Sequence, residues 1–587
     1  MLTRSGKGFK NFYKFDGQAD CCCRLLKTSF FAPVVSAGIP VPLRTGQEWG
    51  PAREKIPYWM GSKDAEVMKE GIIMKKLMTL ALAAAMMLGA TTGANAIDFK
   101  AKGQWIMSFD YGMHNDFLSN KRAGSKPGSG YKGEDEFEAR QRVRLQLDAV
   151  ASEALSGTVF FEIGDQVWGQ DKTGGALGAD KSVVELKRAY IDWMVPQTDL
   201  KVRMGIQGLA LPSFTTNASQ IFDDDVAAVS LNYQFNENVG LTAFWARPYN
   251  DNAGYYKNSD FGGTQYKNYM DNMDMFAVLL PLTFDGVKVT PWVMYAAMGP
   301  GMLDTNGKTG KDFAFSSFGN AWNRAASGMT SGFFGTDPVS SYGNAFWAGV
   351  TGEVTYWDPF RIAWDVNYGS AAYDNERMNR EGWLASLLLE YKLDWGTPGL
   401  YGWYGSGDDN NPKNGSERMP VVSANGNNQF SNFAFNGNPY IAREGILGTT
   451  MVGTWGIGAR LKDVSFLEDL KHTLRVNFMG GTNAPKMAKY MRQGYGKNSV
   501  VLPADAGYGS PYYDPMYLTT EDYALEIGLT NTYKMYDNFT VMLDAAYVAL
   551  WLDDSTSTWG KNPGRSALGG DGVYDAWNVN LSFVYSF

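Results

Sequence analysis

The side chains best placed to do chemistry are three arginines spaced two apart. In FEARQRVRLQLDAV, Arg140, Arg142 and Arg144 alternate with apolar residues, sharing a phase with Glu138, Gln146 and Asp148 while Ala139, Val143, Leu145, Leu147 and Ala149 fill the other. In a strand, alternate residues point to opposite faces, so this spacing sets a row of guanidinium groups on one face. Arg188 and Arg203, in the next strand pair, extend the row. Such a wall raises the local concentration of anions and orients passing dipoles. The competing reading is structural, with the arginines neutralised by Glu138, Asp148 and Glu162.

Two acidic groups are the next candidates. Asp223, Asp224 and Asp225 close a segment, 211–225, that could fold inward and set carboxylates opposite the arginines; the longer 300–344 could enter instead. A solvated acidic loop is the plain alternative. Asp408, Asp409 and Asn410, in SGDDNN, are oxygen-rich enough to invite Ca2+, but the spacing fits no known ligand loop.

Catalysis finds little support. His114 and His472 are the only histidines, and neither stands near a nucleophile and an orienting acid. Clustered metal ligands and a phosphate-cradling glycine loop between strand and helix are also missing. We expect no enzyme and no cofactor.

What positions the arginines is a long series of strands. QWIMSFDYGM places Trp105, Met107, Phe109, Tyr111 and Met113 in one phase, and the C-terminal NVNLSFVYSF places Val579, Leu581, Phe583, Tyr585 and Phe587 in one phase, with only Val584 out of step. Clean alternation over ten or more residues exceeds the ordinary soluble strand of about five or six and matches the roughly 9 to 11 tilted residues that cross a bilayer. Brief turns such as Asp285-Gly286 and Tyr536-Asp537 alternate with long Gly-, Asn-, Asp- and Ser-rich segments at 300–344, 407–448 and 481–520. Short turns at one end and long loops at the other belong to a membrane barrel. A sheet in lipid must close on itself, because lipid satisfies no edge. The expected fold is therefore an all-β transmembrane antiparallel barrel of about 16–18 strands, with short periplasmic turns and long extracellular loops. The alternation marks eighteen strands, of which those near 226–235 and 399–406 are the weakest. At this size side chains do not fill the bore and a water-filled channel results.

Composition agrees with this. Aromatics make up 14% of 587 residues, yet mean hydropathy is only -0.28. Residues 74–96, MKKLMTLALAAAMMLGATTGANA, have the charged start, short apolar core and Ala-Asn-Ala site of a secretory signal, which predicts a mature protein of 97–587. Residues 1–73 would then be an upstream extension read from a misplaced start, since Lys69-Glu70-Gly71 can be encoded by a ribosome-binding sequence. Cys21, Cys22 and Cys23 all fall in it. Residues 1–96 carry 13 Lys+Arg and 7 Asp+Glu of the chain's 53 and 61, leaving 40 and 54, a net of -14. An acidic exported protein is a poor partner for nucleic acid.

These segments resemble a known family. The terminal Phe with alternating apolar partners resembles the assembly signal of Gram-negative outer-membrane barrels. RQRVRLQL followed by GTVFFEIG, then LKRAYIDW and RMGIQG, resembles the opening strands of trimeric porins. Together with YGSGDDN, the chain from 74 onward is most similar to the homotrimeric porins of sulfate-reducing bacteria. The resemblance implies an outer-membrane homotrimer in contact with lipid and lipopolysaccharide, inserted by the barrel-assembly machinery and passing small hydrophilic solutes and ions by passive diffusion. A solute-specific channel for anions or carboxylates is the alternative within transport. An adhesive or structural barrel with a plugged lumen is the alternative outside it.

Overall fold

The computed structural model describes residues 97–112, 117, 136–171, 173–177, 184–250, 272–299, 341–374, 376, 379–411, 413–424, 428–435, 437–441, 445–494, 516–561 and 573–587. The leader, the signal segment, the three cysteines, His114 and most of 300–344 lie outside the described residues.

The strands are β1 (Asp98–Gly112), β2 (Glu136–Ser152), β3 (Leu155–Val167), β4 (Val184–Met194), β5 (Leu200–Ala210), β6 (Asp223–Asn236) and β7 (Val239–Asn250). There follow β8 (Asn272–Leu279), β9 (Leu282–Phe284), β10 (Val287–Met298), β11 (Gly343–Val354), β12 (Phe360–Ala372) and β13 (Arg380–Tyr391). The series ends with β14 (Thr397–Gly405), β15 (Thr454–Leu467), β16 (Leu470–Gly481), β17 (Tyr523–Tyr536), β18 (Phe539–Trp551) and β19 (Ala576–Ser586). One helix, α1 (Pro485–Gly494), lies among the described residues.

Each strand pairs antiparallel with its neighbours, and β1 pairs with both β2 and β19, so the sheet is a closed barrel. β8 and β9 together make one crossing. Both pair with β7 and β10, and Pro281, which has no N–H to give the ladder, stands at the break. The barrel thus has eighteen crossings, including the two weakest in the sequence, β6 and β14.

Turns at one end are brief, as at Asp285-Gly286, where Gly286 takes φ +67° and a Cβ would meet the Tyr356 backbone. All long connections fall at the other end. Closure at the seam follows from the pattern of the last strand. Trp105 pairs across from Tyr585, and Phe587 exchanges two backbone hydrogen bonds with Gly103, at 2.8 and 3.0 Å. Asn578, Asn580 and Ser582 face inward, buried, and Asn580 donates to Ser108 at 2.8 Å and to Asp110 at 2.9 Å. Val579, Leu581, Phe583, Tyr585 and Phe587 share the outer face, where the Phe583 ring lies 6.0 Å from Phe109. The one residue out of step, Val584, packs inside against Ile106 and Ile441.

The outer face is apolar and carries aromatic residues at two levels. Tyr111 with Trp577 and Tyr368 with Trp383 mark the long-loop end, at ring separations of 5.1 and 4.7 Å. Phe360 with Tyr391 and Tyr585 with Phe587 mark the short-turn end, at 4.7 and 5.8 Å. Rings at two levels are what two membrane–water boundaries select.

The main hydrophobic core lies within the bore. Phe244, Met275, Trp292, Met294 and Trp347 point inward from β7, β8, β10 and β11 and are buried beneath residues of 211–222 and 406–453 that fold into the lumen, among them Ile221, Phe222, Val421, Phe430 and Phe435.

Candidate functional site

One sector of the inner wall, β2 to β5, is charged and partly open to solvent. Arg140, Arg142 and Arg144 stand opposite Ser108, Ile106 and Gln104 on the inward ladder of β1. Their partners are close. Arg142 forms a two-pronged pair with Asp165 at 2.5 and 2.6 Å, Arg144 Nε meets Glu162 at 2.6 Å, and Arg140 pairs with Glu138. Arg203 grips Asp192 at 2.7 and 2.8 Å with its guanidinium 4.1 Å over the Tyr190 ring. Forked pairing of this kind fixes the guanidinium plane as well as its charge.

Two register shifts aim these charges. Between β2 and β3 the ladder shifts between Gln141 and Val143, where Gly164 and Asp165 of β3 together stand opposite Arg142, so the extra residue lies on β3. Between β3 and β4, Phe160 pairs with Arg188 but Phe161 with Leu186, so Lys187 is unpaired in the ladder. A bulge turns two adjacent side chains toward one side. Lys187 and Arg188 accordingly converge on Asp225, at 2.9 and 2.5 Å.

The three aspartates differ from the sequence expectation in their element. Asp223, Asp224 and Asp225 are the first residues of β6 and belong to the wall. Asp225 meets Lys187 and Arg188 from the strand beyond β5, Asp224 accepts from the Ser423 hydroxyl at 2.8 Å, and the Asp223 N–H donates to the Ser423 carbonyl. They do not stand across the opening from the arginines. The backbone could adopt this because Leu211 and Phe222 already close the ladder before 223, with Leu211 N–H bonded to the Phe222 carbonyl at 2.9 Å.

The lumen is narrowed by two segments. Residues 211–222 cross to the inner face of β12, and residues 406–453 run past β14 to β19 and reach β1, where the Ile441 carbonyl accepts from Ser108 and from Asn580. A second set of charges lies on β10 to β15 toward the short-turn end. Glu353 is held by Lys288 at 2.9 Å and by Arg361 at 2.8 Å, and Glu390 by Arg361 at 2.8 Å and Arg460 at 2.7 Å. Arg361 also donates to the Phe214 carbonyl at 2.8 Å, joining wall to loop. This set was missed in the sequence. Of this set Glu390 had a signal, a lone charge in the inward phase of the apolar run LLLEY; the same pattern marks Asp365 in IAWDVNY and Glu526 in YALEIGL, which hold the inner segments.

Asp408 and Asp409 are engaged by protein groups of their own loop and of the connection before β17. Asp408 is buried and accepts from Ser416 at 2.5 Å and Tyr517 at 2.6 Å, while Asp409 accepts from the Asn411 N–H at 2.6 Å. Among the described residues no group of three or more His, Cys, Asp or Glu could hold a metal ion. His472 faces outward from β16 with Nδ1 2.6 Å from the Asn531 side-chain oxygen on β17.

Fold and site together define a closed, eighteen-stranded antiparallel barrel with a charged inner wall and two segments folded into its bore. No family model matches the chain and no curated protein matches it. Solved structures to which it is similar include Pseudomonas aeruginosa OpdQ, at 11% identity over 84% of this chain and 99% of that one, TM-score 0.43. OccK9 (OpdG) of the same organism is 10% identical over 84% and 98%, TM-score 0.45, and Acinetobacter baumannii OccAB2 is 10% identical over 84% and 100%, TM-score 0.43.

Proposed function

We propose that this protein is an outer-membrane porin, exported by the signal at 74–96, through which small hydrophilic solutes and ions diffuse down their gradients. The observation that carries the reading is the contrast inside the bore. On β2 to β5 the inner side chains keep solvent access, 27% for Arg144, 29% for Arg203 and 41% for Lys201, whereas inward residues of β8 to β11 such as Met275, Met294 and Trp347 have essentially none. Water therefore has a charged strip to follow between the wall and the segments that fill the other side. The work required of the protein is holding this strip open, with no cofactor and no catalytic step.

Arg140, Arg142, Arg144, Arg188 and Arg203, with Asp225 close by, line that strip and set its ion preference. Because each cation has a carboxylate partner, the field in the strip alternates in sign along the wall, which supports weak selectivity in a general pore. The narrowing by two segments supports the second reading, a solute-specific channel for anions or carboxylates. Osmotic swelling of liposomes tests the porin directly, since no swelling with small sugars would reject it in favour of a plugged barrel. Planar-bilayer current separates the two transport readings: ohmic current fits the general pore, and saturable current blocked by one solute fits the specific channel. The sequence resemblance extends the proposal to a homotrimer, to be checked by the mass of the unheated detergent complex.

A further inference from the structure

We infer that segments 211–222 and 406–453 act as one plug, with Asp365 and Glu526 as its two positioning residues, so that either carboxylate governs the placement of both segments. This rests on the reading of the barrel as a channel only in its effect on current.

Each segment offers the wall a tight turn, and in each case one buried carboxylate takes the turn's N–H groups. On β12, Asp365 accepts from Phe214 N–H at 2.9 Å, Thr215 N–H at 3.1 Å, Ser213 Oγ at 2.7 Å and the Thr215 hydroxyl. On β17, one oxygen of Glu526 accepts from the N–H groups of Asn432, Phe433 and Ala434 at 2.9, 2.7 and 3.0 Å and from Ser431 Oγ at 3.1 Å. Asn477 donates to its other oxygen at 2.8 Å. Guanidinium groups hold the carbonyls beside the same turns: Arg361 takes Phe214 O at 2.8 Å and Arg475 takes Gln429 O at 2.9 Å. Each turn is thus gripped through both its donors and its acceptors. Removing the carboxylate would leave several buried N–H groups with no acceptor, a state folded proteins avoid.

The two turns are anchored on strands five places apart, roughly 24 Å along the wall at about 4.8 Å per strand. They are nonetheless joined. Val422 and Ser423 N–H both reach the Ile221 carbonyl, at 2.9 and 3.1 Å, and Phe222 and Ser423 form a parallel bridge. Met451 N–H donates to Gln220 Oε1 at 3.2 Å, and the side chains of both segments share one hydrophobic cluster. Displacing one turn therefore strains the seam that holds the other.

The test uses full-length protein carrying Asp365→Ala, Glu526→Ala or both, with intact barrels verified by altered gel mobility on heating. Single-channel conductance and limited proteolysis mapped by mass spectrometry are read on each. The expected result is that each single variant raises conductance, that the double variant rises little beyond either single, and that each single variant makes both 211–222 and 428–441 cleavable. Cleavage confined to the segment whose own carboxylate was removed, or conductance increments that simply add, would overturn the proposal. Proteolysis decides this even if the parent passes no solute, so failure of the channel reading and failure of the plug are told apart. Should an alanine variant not fold, Glu526→Gln and Asp365→Asn take its place. Each keeps one acceptor oxygen and should give the same two-segment cleavage to a lesser degree, and parent-like cleavage in both would overturn the inference.

Discussion

Reversing the charge at Arg142 isolates the inner wall from every other feature of the barrel. Arg142 stands 2.5 and 2.6 Å from Asp165 and 3.8 Å from Glu162, so Arg142→Glu replaces a balanced cluster by three neighbouring carboxylates. The wall changes by two charges. For a hydrated ion passing about 7 Å away in water, two charges are worth about 1.2 kcal/mol before screening, and about 0.5 kcal/mol after attenuation over one Debye length of about 8 Å. Cations gain this and anions lose it, so the cation-to-anion permeability ratio should rise by about 1 kcal/mol, or about fivefold. Under a roughly tenfold salt gradient, starting near equal permeability, that moves the reversal potential by about 30 mV toward the cation value, at 59 mV per decade. The shift should shrink as salt is raised, because screening shortens the reach of the wall. A reversal potential unchanged to within a few mV of the parent (about 3 mV), with parent-like conductance, would mean that ions do not pass β2 and would refute the charged strip as the conduction path.

The outer face can be tested by depth. Leu581 lies six residues from the terminal Phe587, and a strand tilted by about 45° climbs about 2.3 Å per residue, which puts Leu581 about 14 Å in, near mid-bilayer. Leu581→Arg should therefore destabilise the folded barrel by about 2–4 kcal/mol and Tyr585→Arg, at the boundary, by about 0–1 kcal/mol, measured by urea unfolding in lipid vesicles; equal costs would contradict the assigned face. At the long-loop end, burial and the nearby charges of Asp408 and Asp409 push the Glu417 carboxyl up to about 7, against the opposing hydrogen bond from the Asp409 N–H. Because its folded value lies above that of a free glutamate, about 4.3, the stability this group lends is full below that value and is lost as pH rises through the folded one. Hydrogen exchange of the 406–417 loop should quicken from about pH 5 to about pH 8 once the intrinsic rate is removed, and Glu417→Gln should abolish that dependence; a parent loop with flat protection over the range would sink it.

The fold could be read because lipid allows little freedom. Alternation over ten residues, as in QWIMSFDYGM, specifies a strand, its two faces and its approximate length together, and a sheet in lipid must close. Even a strand without strong alternation was recoverable: GLYGWYG, in β14, lies between the Trp395–Pro398 turn and a loop, and had to cross to keep the hairpins in sequence. The inner arginines followed from parity for the same reason. Their partners did not all follow, because Asp165 and Asp192 depend on which residues pair across the ladder, and the bulge that frees Lys187 carries no pattern of its own. Asp223–Asp225 suit the end of the 211–225 segment, folded inward or solvated, more readily than the start of a strand, yet β6 begins at Asp223. In the structure the cations of β4 and a hydroxyl from the distant 406–453 segment satisfy two of them.

The plug had a signature as well, written in the strands. In NMDMFAVL, WVMYAAM and NAFWAGV, apolar residues occupy both phases, with Met275, Ala277, Met294, Ala296 and Trp347 inward and Phe276, Val278, Val293, Tyr295 and Phe346 outward. A strand apolar on both faces must be covered on both. Lipid can cover the outer face, but water in an open bore cannot favourably meet the inner one, since a contiguous wet surface of Met, Phe and Trp is costly. Some other part of the chain has to lie against it. The long connections supply apolar runs for this, MPVV at 419–422, FSNFAF at 430–435 and GILGTTMV at 445–452, set among the Asn, Gly and Ser residues that made them look like surface loops. Counting the inward apolar strands against the apolar runs in the loops therefore predicts which sector of such a barrel is filled. It leaves β2 to β5, where the inward phase is charged, as the sector that water keeps.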